Sequence, residues 1–233
     1  MKRKITKRKP EANNLFQNVE KISPLTETQS LVLQAYEQDK NLVIYGYPGT
    51  GKTFLACACA LDSFIHGKVD NIRIIRSAVA SRDMGFLPGT EAEKMEAYER
   101  PYISIFNNLM RRGDAYGVLK SKQSVIFESS SFLRGVTYDN SFIIVDEFQN
   151  MSEQELNTII TRTGENTKLM LCGDVRQSDL DLQESGFHQT MRILQNMPKY
   201  FTMVEMGIDD IVRSDLVKEF IIKSIGTNNK SFY

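Results

Sequence analysis

The segment Gly46-Tyr47-Pro48-Gly49-Thr50-Gly51-Lys52-Thr53 has the residue types and spacing best suited to chemistry in this chain. It fits G-x-x-x-x-G-K-[ST], and each part of that pattern acts on a phosphate chain. The glycines let successive backbone N–H groups turn onto the anion. A helix opening just after the loop adds a favourable potential for negative charge. Lys52 is placed to reach the β and γ phosphates, and the Thr53 hydroxyl to ligate a magnesium ion. Both flanks agree: the apolar run Asn41–Tyr45 precedes the loop, and an Ala- and Leu-rich stretch from Lys52 to Ile65 follows. All eight loop residues are therefore candidate contacts to a nucleoside triphosphate.

Two further polar clusters follow apolar runs. Phe142–Val145 ends in Asp146-Glu147. Ligands of parallel α/β sheets sit at the carboxyl ends of strands, which would bring Asp146 to the magnesium held by Thr53. Glu147 would then orient and deprotonate the attacking water. Leu171-Cys172 runs into Gly173-Asp174-Val175-Arg176-Gln177, which would set the Gln177 amide near the γ-phosphate. Other residues carry weaker signals. Gln29 is a candidate reader of the adenine edge, and Arg213 a candidate arginine finger. Arg76, Arg82 and Arg134 are candidate polynucleotide contacts. His66 and His188 are isolated and receive no role.

The elements that must position these residues alternate. The spacing predicts a helix from Thr26 to about Tyr36, a strand at Asn41–Tyr45, a helix at Lys52–Ile65 and a strand at Asn71–Arg76. A long helix over Glu91–Met110, interrupted at Pro101, comes next. Strands follow at Ser124–Glu128, Ser141–Asp146 and Lys168–Cys172, with a helix over Glu153–Arg162 between the last two. A further strand at Phe201–Glu205 and a helix from about Ser214 to Ser224 complete the reading. Apolar strands alternating with helices imply an α/β fold, a mostly parallel sheet with helices on both faces. Residues 1–22 read as a flexible basic tail, 23–226 as a single domain and 227–233 as a second tail.

Composition sets limits on function. The chain has 233 residues, 41% hydrophobic and 25% charged, enough for one large domain. No apolar run approaches the roughly 20 residues that span a bilayer. The basic start is not followed by the apolar stretch of a signal peptide. These features, with three cysteines that read as buried reduced thiols, imply a cytoplasmic protein. Cys57 and Cys59 point to different helix faces and make a poor metal pair. Six of the 29 basic residues lie in residues 1–10, leaving 23 against 29 acidic residues, a net of −6. Such a body argues against binding nucleic acid by bulk charge, so contact would need a local patch or the tail.

The motifs together resemble the PhoH-like ATPases, relatives of the first core domain of superfamily 1 helicases. The resemblance covers roughly residues 24–225. It rests on Leu25-Thr26-x-x-Gln29, the phosphate loop, Gly85-Phe86-Leu87-Pro88-Gly89 and Glu93-Lys94. Arg134-Gly135, Asp146-Glu147-Phe148-Gln149-Asn150, Gly173-Asp174-x-x-Gln177 and Ile211-Val212-Arg213 extend it. The chain departs from the family pattern at Val136, at Phe148 and over Ser81–Met84. The resemblance implies a RecA-like core, ATP and Mg2+ as ligands, hydrolysis, assembly into a ring of identical subunits such as a hexamer, and a part in RNA metabolism.

Three functions compete. The first is an ATPase coupled to RNA or single-stranded DNA. The second is a ring ATPase that remodels or loads a protein partner, which the acidic body and Val136 keep open. The third is a regulatory nucleotide-binding module, against which Gln177 and the Asp146-Glu147 pair speak. Superfamily 1 helicases close their ATP cleft with a second core domain that supplies arginines, and this chain has room for one such domain. Arg213 is therefore expected to act across a subunit boundary, with action in its own subunit as the alternative.

Overall fold

The computed structural model describes residues 16–77, 91–130, 133, 135, 137–174 and 186–228. Six strands form one sheet: β1 (Asn41–Gly46), β2 (Asn71–Arg76), β3 (Val125–Ser129), β4 (Ser141–Asp146), β5 (Lys168–Gly173) and β6 (Phe201–Met206). Their order is β3-β2-β4-β5-β1-β6, and every pairing is parallel. Parallel strands need crossover connections, and helices supply them. The strands are apolar runs because helices cover both faces; β4 is buried at every position. This is the α/β, RecA-like P-loop arrangement that the sequence implies.

Two cores flank the sheet. On one face, α1 (Glu27–Glu37), α2 (Lys52–Ile65), α3 (Glu91–Leu109) and α4 (Ala115–Ser121) pack on Leu42, Ile44, Ile72, Phe142 and Ile144. On the other, α5 (Glu153–Thr161) and α6 (Phe187–Gln195) pack on the alternate residues Val43, Ile75, Ile143, Val145 and Leu171. Side chains alternate between the faces of a strand, so each run serves both cores. The last helix, α7, spans Asp215–Asn228.

Local sequence sets the helix starts. The Thr26 hydroxyl accepts from the Gln29 N–H at 3.2 Å and caps α1. Ser152 and Glu155 form a reciprocal capping box at the start of α5. Two helices, α4 and α6, are additions to the elements expected from the sequence. The interruption expected at Pro101 is also absent, since α3 runs through it. Tyr102, Phe106 and Leu109 are all buried just beyond the proline. Each large apolar side chain so buried contributes roughly 1.5–3 kcal/mol, enough together to offset the roughly 3 kcal/mol that an internal proline costs.

Candidate active site

The phosphate loop begins where β1 meets β6. Gly46 pairs with Met206 in the sheet register and has φ +130°. A β-carbon there would overlap the Met206 carbonyl oxygen, which instead accepts the Tyr47 N–H at 3.1 Å. Only glycine meets both demands. The loop is also held from behind. The Gln29 amide donates to the Thr50 carbonyl at 3.0 Å and accepts the Leu25 N–H at 2.8 Å. The Val212 N–H donates to the Gly49 carbonyl at 3.0 Å. No side chain caps α2 at Gly51, which leaves the first turn of the helix facing a ligand. Lys52 folds back over the loop, its ammonium donating to the Gly46 and Tyr47 carbonyls at 2.9 and 2.6 Å. Burial lowers its pKa, against the raising pull of Asp174, Cys172, Glu147 and Asp146. Phosphate oxygens would replace those carbonyl acceptors and relieve the burial of an unpaired charge.

Asp146 ends β4 and meets the first turn of α2. The Thr53 hydroxyl lies 3.0 and 3.1 Å from its two carboxylate oxygens. Burial raises the Asp146 pKa, as does the charge of Glu147, while Tyr102, Arg76 and Thr53 pull it down. A hydroxyl and a carboxylate in contact are hard oxygen donors of the kind magnesium takes. Among the described residues, no group of three His, Cys, Asp or Glu side chains could hold a metal by itself. Magnesium uses one or two protein ligands and completes its shell with water and substrate phosphates. Thr53 and Asp146 therefore fit the ion.

Glu147 adopts the left-handed conformation, φ 54°, an uncommon state for a side chain of this kind. The turn that imposes it continues as a 3-10 segment, Phe148–Asn150. The Gln149 amide donates to the Glu147 carboxylate at 2.6 Å, and its oxygen accepts the Asp174 N–H at 3.0 Å. One side chain thus joins the end of β4 to the end of β5. Gly173 permits this closeness, since a β-carbon there would lie 2.7 Å from the Phe148 ring and 2.8 Å from the Gln149 oxygen. Phe148 is wholly buried and stacks on Phe187 at 4.8 Å. Its departure from the family pattern thus fills the core on the α5 and α6 face.

Most of the expected site is assembled. The loop from Gly46 to Thr53, Asp146 and Glu147 converge at the carboxyl ends of β1 and β4. Gln29 adjoins the loop, and each end of its amide makes one bond to the protein, which leaves a second N–H and a second lone pair for an adenine edge. Arg213 lies beside the phosphate loop. Its side chain lies over Gly49 of its own chain, with its Cγ 2.9 Å from where a Gly49 β-carbon would sit. The Val212 bond to Gly49 holds this placement. Arg76 is not on an open patch: it pairs with Asp146 in register and lies 5.1 Å over the Tyr98 ring. Gln177, Arg82 and Arg134 lie outside the described residues. Two residues of the site have no role in the sequence reading. Gln149 stands within the Asp-Glu-x-Gln-Asn run, which is signal enough. Tyr102 is 44 residues from the Asp146 it touches, and nothing in the spacing points to it.

Residues 21–224 match the model of the family described as PhoH-like protein. A PhoH-like protein of Mycobacterium leprae is 34% identical over 206 residues, covering 86% of this chain and 57% of the relative. Protein PhoH of Escherichia coli K12 is 33% identical over 196 residues, covering 82% and 54%. The chain therefore spans little more than half the length of these relatives. Among solved structures, the large terminase of a thermophilic bacteriophage superposes with a TM-score of 0.56 at 14% identity. That likeness covers 85% of this chain and 50% of the terminase, and it concerns the fold.

Proposed function

The chain belongs to the PhoH-like protein family, and from that premise we propose that it is a magnesium-dependent ATPase whose turnover is coupled to RNA or single-stranded DNA. The observation that carries the ATPase reading is the convergence of Lys52, Thr53, Asp146 and Glu147 at one end of the sheet. The loop N–H groups and Lys52 bind the triphosphate. Thr53 and Asp146 hold magnesium, which supplies charge neutralisation of the phosphates when bound. Glu147 orients the attacking water and takes its proton. Arg213, on the loop of its own subunit, and Gln177 face the γ-phosphate in this reading, and Gln29 supports the loop and the base.

Coupling to a polynucleotide is the finer part of the proposal and rests on the family resemblance, with the basic residues 1–10, Arg82 and Arg134 as its contacts. A ring of identical subunits, a hexamer in the simplest case, belongs to the same proposal. Leu216 and Phe220 of α7, 82% and 72% exposed, are apolar surface that a contact between copies would cover. The protein-remodelling reading stays as the competitor, favoured by the net −6 charge of residues 11–233. The test is phosphate release from ATP with and without single-stranded RNA and DNA, over a range of salt. Stimulation that fades as salt rises is expected. Turnover indifferent to every polynucleotide would favour the protein partner.

A further inference from the structure

The carboxylate of Asp146 has a third neighbour besides Thr53 and Glu147. The Tyr102 hydroxyl lies 2.7 Å from Asp146 Oδ2. Tyr102 is fully buried, and its ring packs on Phe127 with centroids 5.5 Å apart. Its proton has one direction open to it. An ionised carboxylate can only accept, so the phenol gives its single proton to Asp146. Arg76 is carried beside Asp146 by the sheet, since β2 and β4 pair the two residues.

We propose that Tyr102 is the positioning residue of the magnesium site: it holds Asp146 Oδ2, fixing the carboxylate against Thr53, which lies within reach of both oxygens, and leaves Oδ1 for the magnesium nucleotide. This rests on the ATPase reading above. The physical need is plain. An aspartate side chain turns about two bonds, and an enclosed carboxylate with an idle oxygen would turn to satisfy it. A donor locked by its packing on Phe127 removes that freedom. Groups that orient metal ligands in this way typically contribute about 10- to 100-fold to metal affinity or activity. Tyr102 is enclosed by the core and its hydroxyl meets Asp146, so it acts through that carboxylate.

Tyr102→Phe tests the assignment, because it deletes the hydroxyl and keeps the ring against Phe127. The measurement is binding of a fluorescent ATP analogue to the full chain, in EDTA and across a magnesium titration. Affinity in EDTA should match the parent within about twofold, while the magnesium concentration for half-maximal tightening rises by about tenfold. That half-point is a property of folded molecules, so a smaller folded fraction lowers the amplitude and leaves it in place. With Asp146→Asn already present, adding Tyr102→Phe should change nothing further. An unchanged magnesium half-point in Tyr102→Phe, with the parent responding normally, overturns the role of Tyr102 alone. A parent that binds no nucleotide, or does so without regard to magnesium, overturns the ATPase reading and this proposal with it.

Discussion

At the scale of single residues, the site depends on side chains that hold other side chains. Gln149 restrains the Glu147 carboxylate from one end and reads the backbone of β5 from the other. Gln149→Ala should leave ATP binding near the parent and lower kcat by about tenfold, the effect of one positioning hydrogen bond; a KM-against-kcat comparison separates this from a general loss of structure. The loop, Asp146 and Glu147 are legible in sequence because their spacing is dictated by a phosphate chain. Tyr102 is not, because its role arises from a contact between α3 and β4 that no local pattern encodes. Arg213 is legible as a residue but not in its direction. The sequence contains Val212, but not its bond to Gly49, which keeps Arg213 on its own loop. The cysteines give a separate check. Cys57, Cys59 and Cys172 are buried, and burial pushes all three thiols up, Cys59 to about 12. A thiolate is the reactive form, so an aromatic disulfide reagent at neutral pH should react with none of the three until denaturant is added. Rapid labelling of the native protein would show that the core around α2 opens.

At the scale of elements, the strands are readable almost to their ends, since an all-parallel sheet covered on both faces demands short apolar runs. The helices are less even. Capping at Thr26 and Ser152 announces α1 and α5. The seven-residue α4 carries Gly117 and no side-chain cap, so little in its sequence marks it. In α6, Phe187, Met191 and Leu194 recur at helical spacing and are all buried, a signal that is present and short. The 3-10 segment after β4 is fixed by Phe148 rather than by propensity. Phe148→Ala should destabilise the fold by about 3–5 kcal/mol through the cavity left against Phe187, measured by denaturant unfolding. It should also lower turnover, because the turn that holds Glu147 loses its anchor. A variant of unchanged stability would contradict that reading of the turn. Removing the α5 cap, Ser152→Ala, should cost about 1 kcal/mol and leave the site in place.

At the scale of the whole molecule, one sheet end collects the phosphate loop, Thr53 with Asp146, and Glu147, and the rest of the fold serves to hold that end. No described helix is long and apolar enough to cross a membrane. Because Arg213 sits on its own loop, mixing Lys52→Ala with Arg213→Ala subunits should restore no turnover even where the two kinds share a ring. Recovery of activity in such mixtures would return Arg213 to the neighbouring site.

The measurement that bears most directly on the central claim compares the parent with Glu147→Gln and Lys52→Ala, by nucleotide binding and by single-turnover hydrolysis of ATP. Lys52→Ala should bind ATP weakly. Glu147→Gln should bind ATP like the parent in the presence of magnesium yet hydrolyse it about 10²–10⁴-fold more slowly. Parent-level hydrolysis by Glu147→Gln, or tight magnesium-dependent binding that survives Lys52→Ala, would contradict it.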